Sequence, residues 1–524
     1  MASSTIRHVV IVGGGSAGWL TAGLIAAEHR ASVPDGLRVT LVESPDVATI
    51  GVGEGTWPSM RDTLRRIGVS ESDFFRECDA AFKQGSLFAR WSSDQEGDYY
   101  FHPFSLPQGY GEADLVERWQ QAHAQVPFAD LASYQPHLCM AGRAPKQAAT
   151  PEFAAVANYG YHLDAGKFGL FLKKHCLEHL GVHYVPDHVL GIASHENGDI
   201  AALRTQHHGL LAGDLFVDCT GMRSLLLGQH YGVPFLSQQH VLFNDTALAV
   251  QVPYAHDDSP IASQTTSTAQ QAGWIWDIGL PTRRGVGHVY SSAHTSDEEA
   301  ERALRAYVAA SGGPRDCPQY SLTPRKIGFQ PGYRERFWHR NCVAVGLSSG
   351  FIEPLEASAL AMVELSAAMI VDEMPVTREH MDVVARRFNE TFRYRWERVI
   401  DFLKLHYVLS RREDSADCRS YWRDNRTPES VPERLRELLS LWRYRAPMRG
   451  DFPRIEEVFP TASWQYVLYG MGWRNDAGAT RRGDGALADR YFREAADLTR
   501  RMLPALPANR ELLSHIRAHG LPRT

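Results

Sequence analysis

The chain has 524 residues, of which 44% are hydrophobic and 22% are charged, a composition ordinary for a globular enzyme of one or two domains. Lys and Arg number 55 against 61 Asp and Glu, and the resulting net charge of −6 gives no basic footprint for nucleic acid. The sequence has no run of 18 apolar residues and no basic-then-apolar leader, so we expect neither a membrane span nor secretion.

The cysteines are widely spaced and odd in number, and none forms a CxxC pair. This pattern predicts neither a disulfide framework nor a metal site, and it fits a reducing cytoplasm. The seven cysteines are at positions 78, 139, 176, 219, 317, 342 and 418.

The first part of the chain predicts a βαβ unit. Residues 7–12 form a short apolar strand, residues 16–30 a helix, and residues 38–43 a second strand. Two later apolar stretches, 212–221 and 341–347, run into Gly/Ser turns and predict strands that return to the same sheet. We therefore predict an α/β fold with a Rossmann-like nucleotide-binding domain and long insertions.

The pattern of apolar residues changes twice further along the sequence. Residues 235–295 alternate Val, Thr, Trp and Tyr with other residues and predict an inserted antiparallel sheet. From about residue 355 helical spacing dominates, including a long helix over 377–410. We predict a nucleotide-binding core at 1–375 that contains the inserted sheet, and a helical substrate-binding region at 376–524 packed on that core.

A G-x-G-x-x-G loop joins the first predicted strand to the first predicted helix. Gly13 permits the tight turn, Gly15 lets the backbone approach a pyrophosphate, and Gly18 lets the helix pack close to the strand. Ser16 and Ala17 open the helix, whose free N–H groups and positive dipole end favour phosphate. A dinucleotide is therefore predicted, the alternative being a purely structural turn.

Glu43 ends the second strand, where its carboxylate can accept hydrogen bonds from the ribose hydroxyls of a dinucleotide. Two further features favour FAD over NAD. A second glycine-rich loop, 51–58, includes Gly53, and glycine lets backbone approach a flat ring system. Gly346 and Leu347 end the 341–347 segment, where the chain turns before another helix N-terminus. That N-terminus would face the pyrimidine edge of a flavin.

Lys83 lies in the apolar stretch AAFKQGSLFARW at 80–91. Burial would disfavour its ammonium form and make the amine more nucleophilic. The alternative is a lysine whose head group reaches water.

Glu356 lies in FIEPLEASAL at 351–360. We predict that Pro354 fixes the start of a helix near residue 355, which places Glu356 in the first turn with the N–H groups of Ser358 and Ala359. Such a turn can hold a small anion beside a carboxylate. The alternative is a glutamate that only complements the helix dipole, and Glu353 is a second acidic candidate nearby.

Nine stretches, in order, give the chain its resemblance to the flavin-dependent tryptophan halogenase family. No single stretch is decisive, but together they cover nearly the whole chain. They are GGGSAGW (13–19), GVGEGTWP (51–58), AFKQGSLFARW (81–91), YFHPF (100–104), YHLDAGKF (161–168), DLFVDCTGMRSLL (214–226), GWIWDIGLPTRRGVGHVYSS (273–292), GFIEPLEASAL (350–360) and DFLKLHYVLSRREDS (401–415).

The resemblance implies that reduced FAD, supplied by a separate NAD(P)H-dependent flavin reductase, and O₂ oxidise bromide or chloride to hypohalous acid. Lys83 would hold that acid by a hydrogen bond or as a haloamine. Glu356 would orient the electrophile or take up the proton from the attacked ring. The halide would bind on the N–H groups of Ser358 and Ala359, where the family usually has Thr-Gly.

The resemblance also implies how organic substrate is bound. His102 and Phe104 match residues that flank an indole ring, and Phe459 is a candidate ring-stacking residue. Trp274, Trp276 and Ile278 match a W-x-W-x-I-P signature thought to keep substrate off the flavin, although Gly279 replaces its proline. The alternative for both tryptophans is a buried strand.

Members specific for free tryptophan carry a Tyr-Tyr pair that is absent before the helix predicted at 463–472. We therefore expect an indole, a substituted indole or a larger indole-containing molecule. Two other functions stay open, a flavin monooxygenase that hydroxylates arenes and a flavin-binding protein without turnover. The oligomeric state also stays open, a homodimer being one alternative.

Overall fold

The computed structural model describes residues 5–46, 53–313, 323–413, 420–455, 457–476 and 485–523. Within them, the strands are β1 His8–Val12, β2 Arg38–Glu43, β3 Gly53–Gly55, β4 Ala81–Lys83, β5 Gly85–Ala89, β6 Tyr99–Pro103, β7 Gly160–Asp164, β8 His183–Pro186, β9 Val189–Ser194, β10 Ile200–Thr205, β11 Leu210–Ala212, β12 Leu215–Asp218, β13 Phe235–Ser237, β14 Thr246–Pro253, β15 Thr265–Gln270, β16 Gly273–Gly279, β17 Arg283–Tyr290, β18 Arg325–Gly328, β19 Gly332–Arg334, β20 Trp338–His339, β21 Cys342–Ala344 and β22 Gly350–Phe351.

The α-helices of the same residues are α1 Ser16–Glu28, α2 Met60–Arg66, α3 Glu71–Glu77, α4 Leu115–Ala122, α5 Phe128–Ala132, α6 Gln135–Met140, α7 Ala165–His179, α8 Asp297–Ala310, α9 Ser358–Asp372, α10 Arg378–Val408, α11 Tyr421–Asp424, α12 Glu433–Trp442, α13 Thr461–Gly470, α14 Gly485–Ala505 and α15 Asn509–His519.

The chain forms two compact units, each assembled from three segments. Unit 1 comprises residues 1–79, 163–238 and 330–396, and unit 2 comprises residues 80–162, 239–329 and 397–524. The boundary expected after residue 375 falls inside the third segment of unit 1, so the division at that point stays a prediction.

Unit 1 is built around a six-stranded sheet in the order β20-β21-β12-β1-β2-β8. Strands β21, β12, β1, β2 and β8 run parallel, and β20 is antiparallel at one edge. The apolar run of β1 is buried on both faces, as is typical of a central parallel strand. The predicted α/β class and its returning strands are confirmed.

The returning strand predicted over 212–221 is shorter, because side chains take over the hydrogen bonds at both ends. At its start the Asp214 carboxylate accepts from the backbone N–H groups of Arg7 and His8, each at 2.8 Å. At its end the Asp218 carboxylate accepts from the N–H groups of Leu226 and Leu227. The chain therefore turns away after residue 218.

Unit 2 contains a seven-stranded sheet in the order β18-β14-β17-β16-β15-β5-β6. All its pairs are antiparallel except β15 with β5. The antiparallel sheet predicted over 235–295 is therefore present, and it extends to strands on either side of that range. Helix α8 packs on one face and buries Leu304 and Val308 against Val252 and Ile275.

Candidate active site

The glycine loop has the geometry that its sequence predicts. Gly13 has φ of +116°, and a Cβ added there would lie 2.1 Å from the carbonyl oxygen of Cys219. A Cβ at Gly18 would lie 1.9 Å from the Gly13 oxygen. Gly15 differs, because a Cβ added there meets no atom within 4 Å. Gly13 and Gly18 are therefore required by the fold, whereas Gly15 leaves open space at the helix N-terminus.

The residues present fit a dinucleotide diphosphate at this point. Gly15 is the N-cap of α1, no side chain caps it, and the first turn contains no acidic residue. The N–H groups at Ser16 and Ala17 are thus offered by a glycine-lined turn with the positive end of a 13-residue helix behind them.

Glu43 lies against this loop, since a Cβ at Gly14 would meet the Glu43 carboxyl carbon at 2.2 Å. The Lys173 ammonium and the Tyr184 hydroxyl donate to the same Glu43 oxygen, Oε2, at 2.8 and 2.9 Å. Neither donor is predicted from the sequence, because they come from α7 and β8, far from Glu43 along the chain. They fix the orientation of the carboxylate proposed to bind ribose.

The turn at 346–348 also reaches the glycine loop. Gly346 has φ of +75°, and a Cβ there would lie 2.9 Å from Cβ of Ala17. Gly346 and Leu347 open a short 3₁₀ turn, Gly346–Ser348. Gly53 opens β3, whereas residues 51 and 52 of the second glycine-rich loop lie outside the described residues.

The prediction that Glu356 lies in the first turn of an α-helix is wrong. Residues Leu355–Ala357 form a separate 3₁₀ turn, in which Glu356 and Ala357 have φ of 63° and 56°. Helix α9 begins only at Ser358, with Ala357 as its N-cap. Pro354 accepts from the Ala357 N–H at 2.9 Å, and this bond closes the turn before the helix starts.

The 3₁₀ turn presents a buried carboxylate immediately before a helix N-terminus. Glu356 is 6% exposed and Ser358 is 3% exposed. Ser358 and Ala359 lie in the first turn of α9, as predicted, but they are its first two residues, whereas the predicted helix began near residue 355. The first turn of α9 has no acidic residue. The N-terminus of α9 therefore offers amide donors to an anion.

Lys83 ends β4 and is 1% exposed. Its Nζ lies 5.4 Å from the centre of the Phe104 ring, a cation–π distance. Strand β4 pairs with β7 so that Lys83 is opposite Gly160 and Ala81 is opposite His162. Burial, followed by the charge of Lys83, holds the pKa of His162 well below its usual value, so that imidazole stays neutral near the amine.

Gln84 holds the backbone next to Lys83, and the sequence analysis missed it. Its N–H donates to Ser263 O at 2.7 Å and its carbonyl accepts from Phe104 N at 3.1 Å. Its buried side chain donates to Arg143 O at 2.7 Å and to Ser263 Oγ at 3.1 Å. Lys83 and Phe104 are thus tied to the same residue.

Two of the predicted substrate residues, His102 and Phe459, belong to one aromatic cluster in unit 2. His102 Nε2 lies 2.8 Å from Ser463 Oγ, and its ring is 6.4 Å from that of Phe459. Phe459 stacks on Phe402 at 3.8 Å, so Phe402 covers one of its faces. Phe104 is only half-buried.

The tryptophans of the signature share one face of β16 with Ile278. Trp274 is buried and lies 6.3 Å from Trp91, while Trp276 lies over Gly287 of the next strand, where a Cβ would be 2.1 Å from its ring. Ile278 is also buried. Packing alone accounts for Trp274, and the role of the signature in separating substrate from flavin stays a prediction.

The predicted site residues divide cleanly between the two units. The flavin and halide candidates and Glu356 belong to unit 1, whereas Lys83, the aromatic residues and the signature belong to unit 2.

Two other features are absent from the part of the chain that the structure describes. Among the described residues, no helix is both long and apolar enough to span a membrane. The same part of the chain contains no group of three or more His, Cys, Asp or Glu side chains arranged to hold a metal ion.

The chain is similar to known tryptophan halogenases over most of its length. The family model for tryptophan halogenase matches residues 8–481. The tryptophan 6-halogenase of Streptomyces toxytricini is 33% identical over 96% of this chain and 97% of its own length. The tryptophan 7-halogenase of Lentzea aerocolonigenes is 30% identical over 98% and 99%, respectively.

Solved structures show the same relationship. A tryptophan halogenase from Shewanella frigidimarina is 48% identical, with 99% of both chains covered and a TM-score of 0.95. A flavin-dependent halogenase from Brevundimonas sp. BAL3 is 33% identical, with 98% and 99% covered and a TM-score of 0.83.

The fold and these similarities define an enzyme of the flavin-dependent halogenase class. Because the family match covers most of the chain and the relatives match it almost end to end, the chain belongs to the tryptophan halogenase family.

Proposed function

We propose that the protein is an FADH₂- and O₂-dependent halogenase that acts on an electron-rich arene, an indole derivative in preference to free tryptophan. The observation that carries this proposal is the buried amine of Lys83, which lies 5.4 Å from the centre of the half-buried Phe104 ring. Phe104 follows His102 by two residues, and the His102 ring is 6.4 Å from that of Phe459. A buried amine beside aromatic side chains suits the transfer of a positive halogen to a flat ring.

FAD would be held by the backbone of Gly13, Gly15 and Ser16, by Glu43 at the ribose, and by the Gly346 turn. Together with O₂, the reduced flavin supplies the two-electron oxidation that converts halide to hypohalous acid. A separate NAD(P)H-dependent reductase would provide the reduced flavin. The amides at Ser358 and Ala359 would hold bromide or chloride.

The halogen transfer balances as hypohalous acid plus arene giving haloarene plus water. Lys83 would hold the acid by a hydrogen bond, or carry the halogen on Nζ as a haloamine after loss of water. The arene forms a carbon–halogen bond and then loses the proton from the same carbon. Glu356 would orient the electrophile or accept that proton.

The segment before α13 contains no Tyr-Tyr pair, which favours a substrate without an amino-acid head group. Of its carboxylates, that of Asp451 already accepts from Trp442 Nε1 and Met448 N, both at 2.9 Å, and pairs with Arg445. That carboxylate is therefore engaged within the protein and does not replace the missing Tyr-Tyr pair in binding a substrate ammonium group.

The test supplies FAD, a flavin reductase, NADH, bromide and indole, and follows the brominated product by mass. We expect product from the wild type and at least a hundredfold less from Lys83→Met, which keeps the length of the buried side chain but removes the amine. Lys326→Ala, which removes an exposed lysine of unit 2, is the matched control and should keep full activity.

Regiochemistry and halide preference refine this test. The most nucleophilic carbon of indole is C3, so a loosely held indole should brominate there, and bromide should outcompete chloride because it is easier to oxidise. A benzo-ring product in the NMR spectrum, or preference for chloride at equal concentration, would contradict these two expectations. A hydroxylated product would instead favour the monooxygenase alternative.

A further inference from the structure

Residues 57–63 of unit 1 are attached to residues 356–364 of the same unit at two places. The indole N–H of Trp57 donates to the backbone carbonyl of Glu356 at 2.8 Å. Further along both segments, Thr63 Oγ1 donates to Glu364 Oε1 at 2.7 Å, and Ser59 Oγ donates to Glu364 Oε2 at 3.3 Å. The segment that starts with the proposed flavin-binding loop is thus bonded to the turn that carries Glu356.

The hydrogen bond from Trp57 is accepted by a backbone carbonyl at a turn with positive φ angles. Glu356 and Ala357 are consecutive non-glycine residues in the left-handed region, a conformation that persists only where neighbours hold it. The Glu356 carbonyl belongs to the peptide unit between them. The N–H of this peptide unit already donates to Pro354 O at 2.9 Å. The Trp57 donor holds the opposite, carbonyl side, so the two bonds together fix the rotation of the peptide plane and, with it, the path into Ser358.

The donor is well suited to this role. An indole offers a single N–H on a rigid ring, so a bond to it defines one direction. Thr63 and Ser59 hold α2 against Glu364, a side chain on the second turn of α9. The helix that starts after the turn is thereby held to the segment that supplies the indole.

We propose that Trp57 is a positioning residue, which holds the Glu356–Ala357 turn so that the Glu356 carboxylate and the amides at Ser358 and Ala359 face one anion site. Its effect on catalysis rests on the proposed function, whereas its effect on the turn does not. Trp57 touches no reacting atom in this proposal and acts only through Glu356.

Two variants test the proposal. Trp57→Phe removes the N–H and keeps an aromatic ring, and replacement of Trp57 by benzothienylalanine keeps the shape of the indole while sulfur replaces the N–H. Trp119→Phe is the matched control, because the Trp119 indole also donates to a backbone carbonyl, that of Val126, at 2.7 Å in unit 2.

The first measurement is hydrogen exchange by mass spectrometry on the protein without flavin. We expect amides in the peptide 354–360 to exchange at least tenfold faster in both Trp57 variants and to be unchanged in Trp119→Phe. Unchanged exchange in the benzothienylalanine protein would overturn the proposal, even if Trp57→Phe failed to fold.

The second measurement is bromination of indole. We expect kcat to fall about tenfold and the KM for bromide to rise several-fold, with the KM for indole unchanged, because only the unit 1 residues are displaced. A uniform loss that follows the melting temperature would show a merely structural role. If the wild type gives no brominated product while exchange responds as expected, the proposed function fails and the positioning role stands.

Discussion

The side chain of Gln84 shows how a single residue can position the proposed catalytic amine. We expect Gln84→Leu to lower the free energy of unfolding by about 1–3 kcal/mol, because it leaves the buried partners Arg143 O and Ser263 Oγ without their donor. Bromination should fall at least tenfold as Lys83 shifts. Urea unfolding and the indole assay measure these two effects.

The control for Gln84 is Gln121→Leu, the same change at an exposed glutamine that donates to Glu117. We expect this variant to lie within about 0.5 kcal/mol of the wild type and to keep its activity. If Gln84→Leu behaved as Gln121→Leu does, the link between Gln84 and Lys83 would be wrong.

A site residue could be predicted from the sequence only where its local sequence pattern is distinctive. Lys83 and Glu356 are predicted as site residues because they interrupt apolar stretches that resemble a known family. Gln84, Lys173 and Tyr184 carry no such signal, since their partners are brought together only by the tertiary fold. The sequence likewise gave no warning that Glu356 has positive φ.

At the scale of elements, the glycine loop contains one glycine that the fold requires, Gly13, and one that we propose serves ligand binding, Gly15. We expect Gly13→Ala to destabilise unit 1 severely, because its Cβ would lie 2.1 Å from a backbone oxygen at φ of +116°. Gly15→Ala should fold, because φ is −77° and no atom lies within 4 Å of the added methyl group. Its stability should change by about 1 kcal/mol at most.

The added methyl group of Gly15→Ala would occupy the space proposed for the diphosphate. We therefore expect its Kd for FAD to rise at least tenfold, measured by titration with flavin fluorescence. A Gly15→Ala protein that folds and binds FAD as tightly as the wild type would refute the proposed diphosphate site.

Helices α2 and α9 make stability depend on pH through Glu364. Burial raises the pKa of Glu364 to about 8 from its ordinary 4.5, although the hydroxyls of Thr63 and Ser59 oppose part of that rise. The folded protein therefore keeps a proton that the unfolded chain has lost between these values. This contribution to stability is complete below pH 4.5, falls as pH rises, and is lost above pH 8.

We expect Glu364→Gln, which is neutral throughout, to gain stability relative to the wild type as pH rises from 5 to 8.5. The difference should change by up to about 1.4 kcal/mol per pH unit within this window. Melting temperatures across the pH range measure it, with the exposed Glu298→Gln as control. A difference that does not depend on pH would show that Glu364 ionises normally.

Element prediction was accurate where one local rule decided the outcome. The bounds of β2 match the prediction at both ends, and α10 begins and ends within two residues of the predicted 377–410. The predicted start of α9 near residue 355, with Pro354 at the entry, is wrong, because Glu356 and Ala357 interpose a left-handed turn. Periodicity cannot reveal that turn, because three residues are too few to show a period.

At the scale of the whole molecule, the sequence does not reveal which segments form each compact unit. The change in residue pattern predicts a boundary after residue 375, but each unit consists of three separated segments. The inserted antiparallel sheet was predictable from alternation. Its completion by β5 and β6, which precede it by more than 130 residues, was not, because strand pairing over such distances cannot be inferred from a single sequence.

This interleaving makes a prediction about fragments. A chain cut after residue 375 would keep two segments of unit 2, 80–162 and 239–329, and lose the third. We expect fragment 1–375 to aggregate or to show no cooperative melting, since it would expose apolar side chains of β6 that α13 otherwise covers. Near-UV circular dichroism and thermal melting measure this.

Co-expression of 1–375 with 376–524 is the control. The buried Ser410 hydroxyl donates to Trp91 O at 2.7 Å, and Trp91 packs against Tyr407 and Trp422, so the second fragment supplies contacts that the first lacks. We therefore expect the pair to form a soluble complex with a near-UV spectrum like that of the intact chain. A cooperative melt of fragment 1–375 alone would instead support the boundary predicted after residue 375 from the residue pattern. Unit 2 would then fold without its third segment.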